Sequence, residues 1–255
     1  MGAVLEMSVS HSALPRPLSR PLSRPLSRAL MLAGLLALLL ALSACGSQKS
    51  ELGTLATGAL KGLIPGQAAA PAAPDPRQVL TREMLDATPV PVLLVDNETS
   101  GRSGTLIAVA DNGPWRSWRD AEGLGLNFRA GLLGRSQGLG EDLVSADLDE
   151  PLGALAALLG GRAGRVEGAV RVHRYLDGER QEVTRSFVCA YGVAGAETLS
   201  LFARSYATRH LVETCRGPDL EFRNDYWIGG DGTVRKSRQW VGPEAGYLRI
   251  EQLRP

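Results

Sequence analysis

The sequence predicts an all-β domain, an antiparallel meander that forms a barrel or a sandwich with one or two short helices. Short apolar runs recur between turn residues from residue 90 onward, which is typical of antiparallel strands. Several runs alternate apolar and polar residues with a period of two, the pattern of a half-buried strand. No segment repeats at a period of about 20–50 residues, so the pattern excludes a repeat array.

Two short helices are expected beside the strands. Thr81 can cap a helix through Met84, Leu85 and Asp86, which must end before Pro89. The second helix is predicted in "EPLGALAALLGG", where Pro151 falls in the first turn and Gly160 ends the helix.

The strands of the first half are short. They are predicted at residues 90–95, 105–110, 115–118 and 126–128. The stretch "GRSQG" (134–138) that follows them is interpreted as a glycine-rich turn between strands.

The second half is more strongly β. In "RVEGAVRVHRYL" one face carries valines, and the opposite, polar face carries Glu167, Arg171 and His173. Asp177-Gly178 predicts a two-residue hairpin turn into "RQEVTRSFVCAYGV". Further strands are predicted in "TLSLFA", "TRHLVETC", "EFRNDYWI", "TVRKSRQWV" and "YLRIEQL".

The first 44 residues predict a lipoprotein signal peptide. An apolar run of 16 residues, 29–44, follows four arginines; it is shorter than the ~20 residues of a spanning helix and fits a secretory signal. It ends in Leu-Ser-Ala-Cys, which resembles the bacterial lipobox, so Cys45 is expected to carry the lipid and become the new N-terminus. The alternative is an ordinary signal peptide with a chance Cys.

The rest of the chain divides into two predicted parts. Residues 45–78 form the lipidated N-terminus and a tether rich in Gly, Ala and Pro, an extended spacer. Residues 79–255 form the β-rich domain. Gly46, rather than Asp, after the lipidated Cys favours the outer membrane by the usual sorting rule for such lipoproteins.

Charge and cysteines narrow the possible functions. The chain has 28 Lys and Arg against 27 Asp and Glu; loss of residues 1–44 removes four Arg and one Glu and leaves a formal net charge of −2. This balance gives no reason to expect nucleic acid as a partner. Cys189 and Cys215 remain as an even pair in an exported chain and predict a disulfide, with two buried free thiols as the alternative. Neither metal nor cofactor is expected, because no metal-ligand spacing occurs.

One motif points to hydrolysis. "GRSQG" matches G-x-S-x-G, which would make Ser136 a nucleophile with His173 or His210 as its base. The surrounding β pattern favours a turn instead. Carboxylates near the second helix could form a glycosidase pair, although a helix start favours such residues anyway; they are Glu141, Asp142, Asp147, Asp149 and Glu150.

Tryptophans with nearby cations suggest contact with sugars. Flat rings beside guanidinium groups suit sugar faces or carboxylated glycans, and the alternative is that these rings fill a small β core. The candidates for contact with a glycan or a partner are Trp240, Arg238, Lys236, Trp115, Trp118 and Trp227.

The stretch "DYWIGGDGTVRKSRQW" predicts a hairpin whose two tryptophans differ. Trp240 shares its face with Lys236 and Arg238 and is therefore expected to be the exposed platform, with Trp227 in the core.

The segments "SFVCAYG", "HLVETCRG", "NDYWIGGDGTVRKSRQWVGP" and "GPWRSWRDAEGLGLNFRAGLLGRSQG" resemble the YjbF/GfcB family of lipoproteins across residues 79–255. The resemblance implies a role in exopolysaccharide or group 4 capsule production. The expected protein is a non-enzymatic accessory in assembly or export, anchored by its lipid to the outer membrane and facing the periplasm. Its expected partners are polysaccharide or an outer-membrane β-barrel exporter. An envelope hydrolase of the serine esterase or glycosidase type is the alternative.

Overall fold

The computed structural model describes residues 74–176 and 179–255. The predicted signal peptide, Cys45, most of the predicted tether and the predicted turn at 177–178 lie outside these ranges. Among the described residues, no helix has the length and apolar character needed to cross a membrane.

The described residues form three helices and twelve strands. The helices are α1 (Pro76–Val79), α2 (Arg82–Ala87) and α3 (Asp149–Leu159). The strands of the first half are β1 (Val92–Asn97), β2 (Arg102–Asn112), β3 (Trp115–Arg119), β4 (Gly125–Arg129), β5 (Leu132–Gln137) and β6 (Leu143–Asp147). The strands of the second half are β7 (Arg165–Leu176), β8 (Glu182–Leu201), β9 (Arg204–Arg216), β10 (Glu221–Gly229), β11 (Val234–Gly242) and β12 (Gly246–Arg254).

All strands belong to one antiparallel sheet that curls into a nearly closed barrel. Strands that follow one another in sequence pair, except β5 and β6, and β1 also pairs with β12. Strands β5 and β6 are the two edges. A short turn joins them, in which the Asp142 carboxylate accepts the backbone N–H groups of Gly138 and Leu139 and the Ser136 hydroxyl accepts that of Leu143. These bonds hold the two edges together where the strand ladder is missing.

Apolar side chains are buried in two places. The main core fills the barrel and includes the inner face of α3, with Leu155 and Leu158. Arg209 donates to the carbonyl groups of Leu158 and Leu159 and so satisfies the C-terminal end of α3. A smaller core lies outside the wall, where α2 covers β1 and β12; it consists of Leu85, Val92, Leu94 and Leu253, with Leu80 and Phe202 at its edge.

The predicted fold class is confirmed, and so are both predicted helices. The prediction of a turn at "GRSQG" was wrong, because Leu132–Gln137 is strand β5. Gly134 serves packing here, since a Cβ at this position would overlap the Trp115 ring. The two strands predicted at residues 180–193 and 198–203 are one continuous strand, β8.

Candidate functional site

A network of buried polar side chains surrounds Glu213 inside the barrel. Its carboxylate accepts Arg171 Nη1 at 3.1 and 3.2 Å, the Tyr191 hydroxyl at 2.5 Å and the Tyr226 hydroxyl at 2.7 Å. The Asn224 amide donates to it at 2.8 Å. Glu213 and Arg171 are both 0% exposed. We call these residues, with His173 and Tyr175, the Glu213 network.

A chain of hydrogen bonds extends this network along β7. Arg171 Nε donates to His173 Nε2 at 2.8 Å, so this ring nitrogen is the acceptor and the imidazole is neutral. His173 Nδ1 then donates to the Tyr175 hydroxyl (2.9 Å), which donates to the Val241 carbonyl (2.5 Å). The expectation that Arg171 and His173 lie on a polar outer face was therefore wrong. Arg171 and His173 do share a face, but this face points into the barrel. An irregularity of β7 between Val166 and Ala169 leaves Glu167 exposed on the outside.

The charges of the network are stabilised by one another. Burial alone would raise the pKa of Glu213, but Arg171 and the three neutral donors outweigh it and hold this pKa below its usual value. Burial, helped by the Arg171 charge, lowers the pKa of His173 well below its usual value. The network is therefore an ion pair with a neutral histidine at neutral pH.

The predicted disulfide is present beside this network, and it joins Cys189 on β8 to Cys215 on β9. The two residues are direct neighbours in the β8–β9 ladder. Both sulfur atoms and the Glu213 carboxylate lie close enough to resemble a metal site. A disulfide removes both thiolates, which are the form of Cys that binds metal, so this cluster does not qualify as one.

A cavity opens at one end of the barrel, where the β2–β3, β4–β5 and β10–β11 turns meet. Its volume is about 550 Å³, within the range of about 300–1,000 Å³ for small-molecule sites. Apolar side chains form its floor and walls: Leu93, Trp115, Trp118, Phe128, Val234 and Ile250. Polar groups at its edge come from Asp111, Arg116, Asp231, Thr233, Ser237 and Gln252. We call this the barrel-end cavity.

Two of the predicted contact residues line this cavity. Trp115 begins β3 and is half-buried, so part of its ring remains accessible, whereas Trp118 is buried at 4% exposure. Gly131 and Gly134 allow this packing, because a Cβ at either position would overlap Val234 or Trp115.

Trp240 is not the exposed platform that the hairpin pattern predicted. It is 4% exposed and stacks inside the barrel on Phe222 (4.5 Å between ring centroids) and His173 (5.6 Å). The strand is irregular here, since the Trp240 N–H bonds the Asn224 side chain at 2.7 Å. Gln239 and Trp240 are consequently both buried, which breaks the alternation of faces.

Trp227 lies on the outer face of the barrel, and its expected place in the core was wrong. Its ring stacks on His210 at 4.4 Å, Lys236 lies 4.9 Å from its centroid, and its indole N–H donates to Glu197. Arg238 covers the Tyr247 ring at 3.4 Å and pairs with Glu98. Neighbouring side chains thus cover these rings, and the six candidates occupy three separate places.

The residues proposed for hydrolysis have other partners. Ser136 lies within β5, not at a strand-to-helix turn, and its hydroxyl donates to Asp142 at 3.0 Å. His173 bonds Arg171 and Tyr175, and His210 bonds Asp225. The geometry of a serine nucleophile elbow is therefore not formed around Ser136.

The acidic residues near α3 also serve local structure. Asp149 pairs with Arg129, and Glu150 accepts the Val170 N–H at 2.6 Å. Glu141 accepts the Glu244 N–H, and Asp147 accepts the Asp149 N–H. These contacts explain the carboxylates without a catalytic pair.

The fold and the cavity define the class of protein first: an antiparallel, barrel-like β domain with an aromatic cavity at one end. The profile described as "Group 4 capsule polysaccharide lipoprotein gfcB, YjbF" matches residues 56–253. The chain therefore belongs to the YjbF/GfcB family of lipoproteins, which is related to capsule and exopolysaccharide.

A solved structure shares this fold. The hypothetical lipoprotein YmcC from Escherichia coli (K12) superposes with a TM-score of 0.60 at 17% sequence identity, over 82% of this chain and 98% of that chain. At this identity the likeness shows the fold alone. A search among curated protein sequences gives no match.

Sequence reasoning missed the Glu213 network and, apart from Trp115 and Trp118, the residues that line the cavity. Phe128, Ser237 and Gln252 carry no motif, and only the meeting of distant turns brings them together. The network did leave a signal. One face of the paired strands β9 and β10 carries Glu213, Asn224 and Tyr226. A carboxylate that shares a face with an amide and a tyrosine is a pattern that suits a buried hydrogen-bonded cluster.

Proposed function

We propose that this lipoprotein is a non-enzymatic accessory in capsule or exopolysaccharide assembly or export. Lipid on Cys45 anchors it to the outer membrane, and the β domain faces the periplasm. The barrel-end cavity contacts the polysaccharide, beside an outer-membrane β-barrel partner that exports it.

The cavity carries this proposal. It combines aromatic rings with a small number of polar groups at one accessible opening, the usual composition of a site for a small organic group. Sugars fit this composition, because the C–H face of a pyranose packs on an aromatic ring while its hydroxyls bond the polar edge. Membership of a capsule-related family supports polysaccharide as the ligand. The lipobox and Gly46 support the anchor.

The test is complementation of a deletion strain of the source bacterium with three variants. Cys45→Ala should move the protein from the membrane to the soluble periplasmic fraction, abolish labelling by a fatty-acid probe and reduce surface polysaccharide. Trp115→Ala should stay in the outer membrane, remain folded and still reduce surface polysaccharide. Trp227→Ala is the matched control, since it removes a tryptophan from the outer face, and it should keep full output.

Two results would contradict the proposal. Full output from folded Trp115→Ala would exclude the cavity from the function. Continued labelling of Cys45→Ala by the probe would exclude the lipid anchor at this residue.

A further inference from the structure

We propose that the barrel-end cavity binds a neutral sugar ring and discriminates against acidic sugars. This inference rests on the proposed function and names the class of sugar that the same site takes. It follows from the charges and the hydrogen-bonding groups at the edge of the cavity.

The cavity offers no unpaired cation for a carboxylate. Arg116 is the one basic residue among the described residues that line it. Its Nε and Nη2 donate to the two oxygens of Asp111 at 2.6 and 3.1 Å. This two-point contact raises the pKa of Arg116 and lowers that of Asp111, so both stay charged and paired. Recognition of a uronic acid by a guanidinium fork would require this pair to break.

The second carboxylate of the lining is also paired. Asp231 borders the cavity and forms an ion pair with Arg235, and the backbone N–H of Thr233, as the main cause, lowers the pKa of this carboxyl. The guanidinium groups of Arg116 and Arg235 thus each have a carboxylate partner already. A carboxylate brought into this cavity would lose its hydration without gaining a free counter-ion. A neutral sugar has no such penalty.

Neutral donors remain for sugar hydroxyls. Ser237 lies at the wall of the cavity but is only 1% exposed, and its Oγ accepts the Gln239 amide at 2.9 Å. Gln252 Oε1 accepts Arg235 Nη1 at 3.1 Å, which orients the amide and leaves its N–H groups for a ligand. Both residues line the cavity beside the aromatic floor. Oriented neutral donors over aromatic rings suit the hydroxyl groups and the C–H face of a neutral pyranose.

The experiment uses the polysaccharide of the source bacterium. Partial hydrolysis followed by anion exchange separates neutral from acidic oligosaccharides of equal length, and titration calorimetry measures their binding to the purified chain. The Kd of the neutral fraction should be at least about tenfold lower than that of the acidic fraction. Gln252→Met should weaken neutral binding by about three- to tenfold, the effect of one lost hydrogen bond.

A charge variant makes the test specific. Asp111→Asn removes one negative charge and frees the Arg116 fork, so it should improve binding of the acidic fraction while neutral binding persists. Glu98→Gln is the control, because it frees Arg238 on the outer wall away from the cavity, and it should leave both affinities unchanged.

The outcomes separate this inference from the proposed function. Tighter binding of the acidic fraction, abolished by Trp115→Ala, would overturn the preference for neutral sugars and leave polysaccharide contact intact. Binding of neither fraction would overturn the inference and the direct contact with polysaccharide together.

Discussion

The Glu213 network and the barrel-end cavity lie inside the same barrel, yet their polar groups have opposite surroundings. In the network, Arg171 and Glu213 have no exposure, and protein atoms accept or donate at each end of the chain from Arg171 to Val241. In the cavity, Ser237 is also buried at 1% exposure, but Gln252 is half-buried and borders about 550 Å³ of open space. A polar interior therefore does not by itself indicate a binding site. A binding site is distinguished by open space and by hydrogen-bond donors that have no protein partner.

The network should be the most sensitive part of the molecule. Arg171→Met leaves the Glu213 charge buried without its counter-ion, and we expect a loss of about 3–5 kcal/mol in the free energy of unfolding, measured in urea. Adding Glu213→Gln removes that charge and keeps part of its hydrogen bonding, so the double variant should recover part of the loss.

The cavity supplies the matched control. Arg116→Met makes the same chemical change in an ion pair at the surface, where such pairs contribute about 0–1 kcal/mol. A loss of equal size at both positions, or a double variant no more stable than Arg171→Met alone, would contradict the distinction between the two regions.

The same distinction applies to the aromatic side chains. Trp240 is stacked within the network region, so Trp240→Ala should cost about 3–5 kcal/mol. Trp115 is half-buried at the wall of the cavity, and Trp115→Ala should cost about 1 kcal/mol. Thermal and urea unfolding of both variants measure this difference. Equal losses would show that Trp115 is a core residue, and that its substitution cannot report on binding alone.

Much of the fold could be predicted from local patterns. The turn residues at 230–232 predict the hairpin, and Pro151 in the first turn predicts the helix. The disulfide between Cys189 and Cys215 follows from the oxidising compartment expected for an exported chain. Strand β5 could not be predicted in this way, because it contains small and polar residues that only contacts with other strands explain. Gly134, for example, makes room for the Trp115 ring. Local rules do not contain that contact.

Which face of a strand is buried was harder to predict than where the strand lies in the sequence. A period of two shows that Arg171 and His173 share a face, but it does not show which face is buried. Glu213, 42 residues away in sequence from Arg171, makes burial of the arginine possible. Trp240 was misplaced for a related reason, since the irregularity beside Asn224 turns it inward. Both errors arise from partners on other strands.

The last and smallest expected effect concerns acid. Burial and the Arg171 charge keep the pKa of His173 well below its usual value in the folded chain, whereas the unfolded chain takes up a proton near pH 6.5. Below that pH the unfolded state binds one more proton, so this histidine should lower the free energy of unfolding by about 1.4 kcal/mol per pH unit. Its contribution is fully present above pH 6.5 and declines as the pH falls.

Urea unfolding between pH 7.5 and 5 measures this slope. His173→Gln can accept from Arg171 and donate to Tyr175 without titrating, so it should be less stable at pH 7.5 but have a flatter pH dependence than the wild type. The barrel-end cavity has no histidine among the described residues that line it. Its affinity for an oligosaccharide should therefore stay constant over the pH range in which the folded chain persists. A slope unchanged by His173→Gln would mean that the acid sensitivity does not come from the network.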